Sequence, residues 1–72
     1  MEKKLLDVIS DVLGIEKTKI FLETKRTDIE KWDSLAHIQL VAEIEDRFGV
    51  SIPIEEVAAI KKISDFMKFV EK

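Results

Sequence analysis

An aspartate, a serine and a histidine stand close together in the stretch KWDSLAHIQL, residues 31–40. A serine with an imidazole one helical turn away and a carboxylate beside it has the residue types of a nucleophile, its base and an orienting group. To act so, Asp33, Ser34 and His37 would also need an oxyanion hole inside an enclosed pocket. Neighbouring positions on one convex helix enclose nothing, and a chain of 72 residues has little material to shield a reaction. We therefore expect no catalytic residues.

Two plainer roles remain for Ser34. Asp and Ser are both strong N-caps, and the apolar helical period starting directly after them marks a helix entry. Capping needs only one of the two, and neither is followed three residues on by the Glu or Gln of a capping box. The serine then lies beside unpaired backbone N–H groups and the positive dipole end, a favourable seat for a phosphate. His37 is expected as an edge residue near Ser34, within reach of a phosphate attached there. One imidazole with scattered carboxylates makes no more than an adventitious metal site, so no metal is expected.

The composition narrows the class of partner. The chain carries 12 basic and 15 acidic side chains, a net charge of −3, which argues against a nucleic-acid backbone as ligand. The charge is uneven. Residues 34–60 hold one cation, Arg47, against Glu43, Glu45, Asp46, Glu55 and Glu56. An acidic field just after the serine attracts basic protein surfaces. The chain has no cysteine, no apolar run near the roughly 20 residues of a membrane span, and no signal-peptide core at its start. A cytoplasmic monomer without membrane insertion is expected, one domain over residues 1–72.

The elements that must position the serine follow from periodicity. Leu5, Leu6, Ile9, Val12 and Leu13 form one stripe, predicting a first helix from about Glu2 to Leu13 that Gly14 ends in the left-handed conformation. Residues 15–33 carry no clean period and read as a long loop, pinned to the core by Ile15, Ile20, Phe21, Leu22, Ile29 and Trp32, with a short helical turn near Ile20–Leu22. A second, central helix spans about Ser34 to Phe48, with Leu35, Ile38, Leu40, Val41, Ala42, Ile44 and Phe48 on its apolar arc and Gly49 ending it. Pro53 suits the first position of a short third helix, with Ile54, Val57, Ala58 and Ile60 inward. A last helix starts near Ser64, with Ile63, Phe66, Met67 and Val70 towards the core. No strand is predicted. The fold class is all-α, a small four-helix bundle with a long first loop and a short third helix.

The residues around the serine also resemble a known family. DSL at a loop-to-helix junction, then IQLVAEIEDRFGVSIPIEEV and a final short helix, is similar to an acyl carrier protein. The likeness runs from about Trp32 to Val70, and more loosely over the first helix. Phe48, Gly49, the Ile52–Pro53 pair and the acids Glu55 and Glu56 make it more specific than the tripeptide alone. The resemblance implies a carrier protein that is not an enzyme. It implies 4′-phosphopantetheine, donated by coenzyme A through a separate phosphopantetheinyl transferase, on Ser34, with Asp33, Leu35 and His37 around it. It implies acyl groups held as thioesters and delivered to acyl-loading and acyl-transfer enzymes with basic docking surfaces. Those enzymes would dock on Leu35, Glu43, Glu45, Asp46, Glu55 and Glu56.

The chain departs from the carriers of general fatty-acid synthesis near the serine. Lys31 and Trp32 stand where Gly-Ala is usual, Ala36 and Gln39 replace acids, and Arg47 interrupts the acidic run. The WDSL form resembles stand-alone carriers dedicated to particular pathways. Trp32 is expected to anchor the loop on the bundle. An aminoacyl or peptidyl carrier, such as a D-alanyl carrier, is the alternative within the class. An unmodified helical adaptor is the alternative outside it.

Overall fold

The computed structural model describes residues 2–70; the expected domain extends past them at Met1, Glu71 and Lys72. Helix α1 covers Glu2–Leu13 and α2 covers Ser34–Phe48. Helix α3 is a single turn, Ile54–Val57, and α4 covers Met67–Val70 directly after a 3₁₀ turn over Ile63–Phe66. Two further 3₁₀ turns, Lys17–Lys19 and Arg26–Asp28, shape the loop between α1 and α2. The four-helix, all-α expectation agrees with this order.

Leu5, Val8, Ile9 and Leu13 bury one face of α1. Helix α2 runs antiparallel to it, so Lys4 meets the far end of α2, its ammonium 5.0 Å from the centre of the Phe48 ring. Both long helices end on a glycine of positive φ, Gly14 at 68° and Gly49 at 65°, a conformation that costs glycine least.

The apolar arc of α2 is rotated from the expected one. His37, Leu40, Val41 and Ile44 face the core, a spacing of three, one and three. Leu35 and Ile38 face solvent, 66% and 63% exposed, and Ala42 is exposed with them. Positions 35, 38 and 42 form a second apolar stripe about 100° or more around the helix from the first. A pattern of apolar residues alone does not distinguish two stripes from one wide one.

The loop is held as expected at Ile20 and Trp32, which are buried, while Phe21 points to solvent. No helical turn forms at Ile20–Leu22; the turn lies earlier, where Lys17 reaches Asp7 of α1 at 2.6 Å. Further on, the loop runs antiparallel to the segment before α4. Arg26 N–H donates to the Lys61 carbonyl at 2.7 Å and Ile63 N–H to the Thr24 carbonyl at 3.0 Å. This bridge, Lys25 opposite Lys62, pairs backbone groups of the loop with those of the segment before α4.

Helix α3 also differs from its expected orientation. Pro53 is its N-cap rather than its first residue. Ile54 is 84% exposed and Ala58 is exposed, so only Val57 and Ile60 turn inward. Ile52, just before, fills the core in their place. The connection into α3 is fixed by Glu45, whose carboxylate accepts the Ile52 N–H at 2.7 Å.

Candidate functional site at the start of helix α2

The first turn of α2 separates the two residues that compete for the cap. Asp33 is the N-cap, with extended backbone, and its Oδ1 accepts the Ala36 N–H at 2.8 Å. Ser34 is therefore the first helical residue. Its side chain is exposed, and among the described residues it makes no hydrogen bond. Capping is done by the aspartate, and the hydroxyl is left accessible. That hydroxyl, at the mouth of a 15-residue helix, fits an attached phosphodiester both sterically and in charge.

His37 is not the edge residue expected from its position. It is only 4% exposed and both its ring nitrogens are engaged. Trp32 Nε1–H donates to Nδ1 at 3.0 Å. An indole can only donate, so Nδ1 carries no proton. Nε2 lies 2.8 Å from the Val57 carbonyl, which can only accept, so Nε2 carries the proton. The imidazole is neutral and clasps three segments together: the loop, α2 and α3. Burial pushes its pKa below the ordinary 6.5, the Val57 carbonyl opposes that shift, and the nearby Arg26 cation reinforces it. Phe66 stacks on Trp32 at 6.4 Å and closes the cluster from below. With both nitrogens engaged, neither is available to take a proton from Ser34.

Beside Ser34 lies a groove of about 530 Å³ between α2 and α3, lined by Ile38, Val41, Ile54, Val57 and Ala58 among others. Residues 34, 38, 41 and 45 recur at spacings of four, three and four and so share one face. The serine therefore stands at one end of an apolar channel. Arg26, from the loop, lines the same groove. Sequence reasoning missed Arg26 and the outward Ile54. Neither had a signal in the sequence; the burial of His37 had one, the Trp32 indole, which needs an acceptor once buried and has a histidine five residues on.

The acidic residues divide by what they touch. Glu43 pairs with Arg47 at 3.0 Å, and Arg47 also reaches Asp11 at 3.4 Å. Glu56 pairs with Lys68 at 2.9 Å, and Glu45 holds the Ile52 amide. Asp46 and Glu55 are exposed with no ion pair among the described residues. Leu35 and Asp46, eleven residues apart, lie on one exposed side of α2.

This geometry defines a small helical bundle with an exposed serine at the entry of its central helix. Residues 3–70 match the family described as "Phosphopantetheine attachment site". The chain is 32% identical over 72 residues to an acyl carrier protein of Rickettsia bellii, covering 100% of this chain and 84% of that protein. It is 31% identical over 68 residues to the meromycolate extension acyl carrier protein of Mycolicibacterium aurum, covering 94% of this chain and 70% of that one. The chain belongs to the acyl carrier family of phosphopantetheine-attachment domains. Its prosthetic group is 4′-phosphopantetheine, and the family is a carrier domain served by modifying and acyl-handling enzymes. No described helix is long and apolar enough to cross a membrane.

Proposed function

We propose that Ser34 is the attachment point, and that this chain carries acyl groups for a dedicated pathway without catalysing a reaction itself. The observation that carries this reading is the division of labour at the helix entry. Asp33 takes the cap, so the Ser34 hydroxyl stays exposed beside an apolar groove. When bound, the arm supplies the thiol on which acyl groups travel as thioesters, chemistry that a chain without cysteine cannot offer.

The surrounding residues have distinct tasks in this reading. Asp33 orients the first turn of α2 and its free N–H groups. His37 positions rather than binds: it holds α3 against α2 and so keeps the groove in shape. Leu35, Asp46 and Glu55 form the contact surface for basic partner enzymes. Glu43, Glu45 and Glu56 add negative potential from braced positions. Exposed ion pairs contribute about 0–1 kcal/mol each, so the encounter is fast and readily reversed. Lys31, Ala36 and Gln39 reduce the negative charge around the serine, which supports partners other than the general synthase enzymes. A relative named for meromycolate extension shows that the family includes such specialised carriers.

The test is chemical. With coenzyme A and a broad-specificity phosphopantetheinyl transferase, intact mass should rise by one arm, and Ser34→Ala should abolish the gain. An unchanged mass beside an active transferase control leaves an unmodified adaptor. Ester hydrolysis by the bare protein, lost in Ser34→Ala, would replace the carrier reading with a hydrolase. An aminoacyl carrier is told from an acyl carrier by the thioester that co-purifies.

A further inference from the structure

A second cleft lies on the other side of Arg26, and its character is opposite to that of the rest of the molecule. It is an open cleft of about 820 Å³, lined by Lys25, Arg26, Lys61 and Lys62 around Trp32, Ala58 and Ile60. In a chain of net charge −3, four cations face one space whose lining includes a single carboxylate, Asp65. That carboxylate is already engaged, accepting the Lys61 and Lys62 amides at 2.9 and 3.2 Å. The loop acid Asp28 is likewise engaged by the Lys25 amide at 3.0 Å. Among the described residues none of the four cations has an ion pair; the pairs that form use Lys17, Arg47 and Lys68.

The cations are brought together by backbone, not by one another. The antiparallel bridge of Lys25 with Lys62 and the Arg26–Lys61 hydrogen bond hold the two segments side by side against mutual repulsion. Four cations against one carboxylate in the lining leave an excess of positive charge, which raises the local potential and attracts an anion. An indole and two aliphatic side chains in the lining suit an organic anion with an apolar stem better than a bare ion. The volume is that of a small-molecule site, which typically spans about 300–1,000 Å³.

The cleft also adjoins the groove that begins at Ser34. Arg26 and Ala58 line both this cleft and the groove that begins at Ser34. An occupant reaching it along that groove arrives from the attachment point. We infer that the cleft receives the anionic end of an acyl group tethered at Ser34, so that this carrier selects cargo with a carboxylate or phosphate distal to the thioester. This inference rests on Ser34 bearing the arm. Its apolar stem would follow the groove, and Arg26 would stand at the passage between the two spaces.

The experiment compares ¹⁵N-labelled chains loaded at Ser34 with non-hydrolysable, amide-linked arms. One arm ends in an adipyl group with a free carboxylate, one in its neutral terminal carboxamide. Intact mass first confirms loading. The carboxylate form should shift the amides of Lys25, Arg26, Thr27, Lys61 and Lys62 relative to the carboxamide form. The difference should collapse between about 20 mM and about 500 mM salt, over which screening shortens to a few ångströms. It should also disappear in Lys61→Gln/Lys62→Gln and shrink in Arg26→Gln. These changes leave the backbone bridge intact, which unchanged shifts elsewhere would verify. A chain that gains no mass overturns the Ser34 reading and this inference with it. A loaded chain in which both arms give the same shifts overturns the cleft alone. Free adipate titrated into the unmodified protein separates the sources: saturation of the same amides at equal concentration would assign the cleft to a free anion and overturn the tethered one.

Discussion

Asp33 and Ser34 are equally good caps by residue type, and the structure gives the task to Asp33. The hydrogen bond from Ala36 N–H to Asp33 at 2.8 Å has a direct energetic consequence. Asp33→Ala should destabilise the fold by about 1 kcal/mol, the usual cost of a lost N-cap, whereas Ser34→Ala should change it by less than about 0.5 kcal/mol. Urea denaturation of the two variants checks this, and equal costs would mean that the serine shares the cap. His37 permits a second expectation. Its pKa is lowered in the folded state, chiefly by burial, so below its ordinary value of 6.5 the unfolded chain takes up the proton first. The clasp contributes its full stability above about pH 6.5 and loses it as pH falls through the depressed folded value. Protonation would set an Nδ1–H against the Trp32 N–H. As the chain has one histidine, an NMR titration of that ring beside denaturation at two pH values tests the point cleanly. A ring titrating at or above 6.5 would remove the clasp.

At the scale of elements, the carboxylates of α2 look alike in sequence and differ in work. Glu45 is a bracket between the end of α2 and the connection to α3, through the 2.7 Å bond from Ile52 N–H. Asp46, one residue on, is exposed. Glu45→Ala should cost about 1–3 kcal/mol, because a half-buried amide loses a charged acceptor. Asp46→Ala should stay within about 0.5 kcal/mol in stability. Its effect should instead be slower modification by the transferase, with weaker salt dependence. Denaturant melts and modification rates, measured on both variants, separate a bracket from a docking residue. Helix α3 is held mainly from outside itself, since one turn cannot sustain itself alone. His37 and Glu45 hold its two ends, which leaves Ile54 free to face outward.

Across the whole molecule, a core this small depends on a few large side chains. Phe66 is wholly buried and stacks on Trp32 with an interplanar angle of 17°. Phe66→Ala should cost about 3–5 kcal/mol, a large part of the roughly 5–15 kcal/mol that holds a typical domain together. A thermal melt should show a much lower midpoint or no cooperative transition; a loss under about 1 kcal/mol would place the ring outside the core. The charge of the molecule is segregated too. Acids occupy the outer sides of α2 and α3, while Lys25, Arg26, Lys61 and Lys62 meet at the seam between the first loop and the segment before α4. The proposed docking of partners and the proposed reception of cargo thus use separate surfaces of opposite sign.

Local sequence determined the helices themselves. The period of Leu5, Ile9 and Leu13, the Asp-Ser entry and the two terminating glycines set α1 and α2, because capping and periodicity are short-range properties. The DSL stretch likewise marked Ser34 without help from the fold. Tertiary structure decided which of two apolar stripes on α2 would be covered, and so why His37 lies inside while Leu35 and Ile38 lie outside. It decided that Ile54 faces solvent, since Ile52 fills the core first. It also decided that Lys25 and Lys62 should be neighbours. That last contact joins segments 37 positions apart through backbone hydrogen bonds, to which side-chain patterns in either segment are blind.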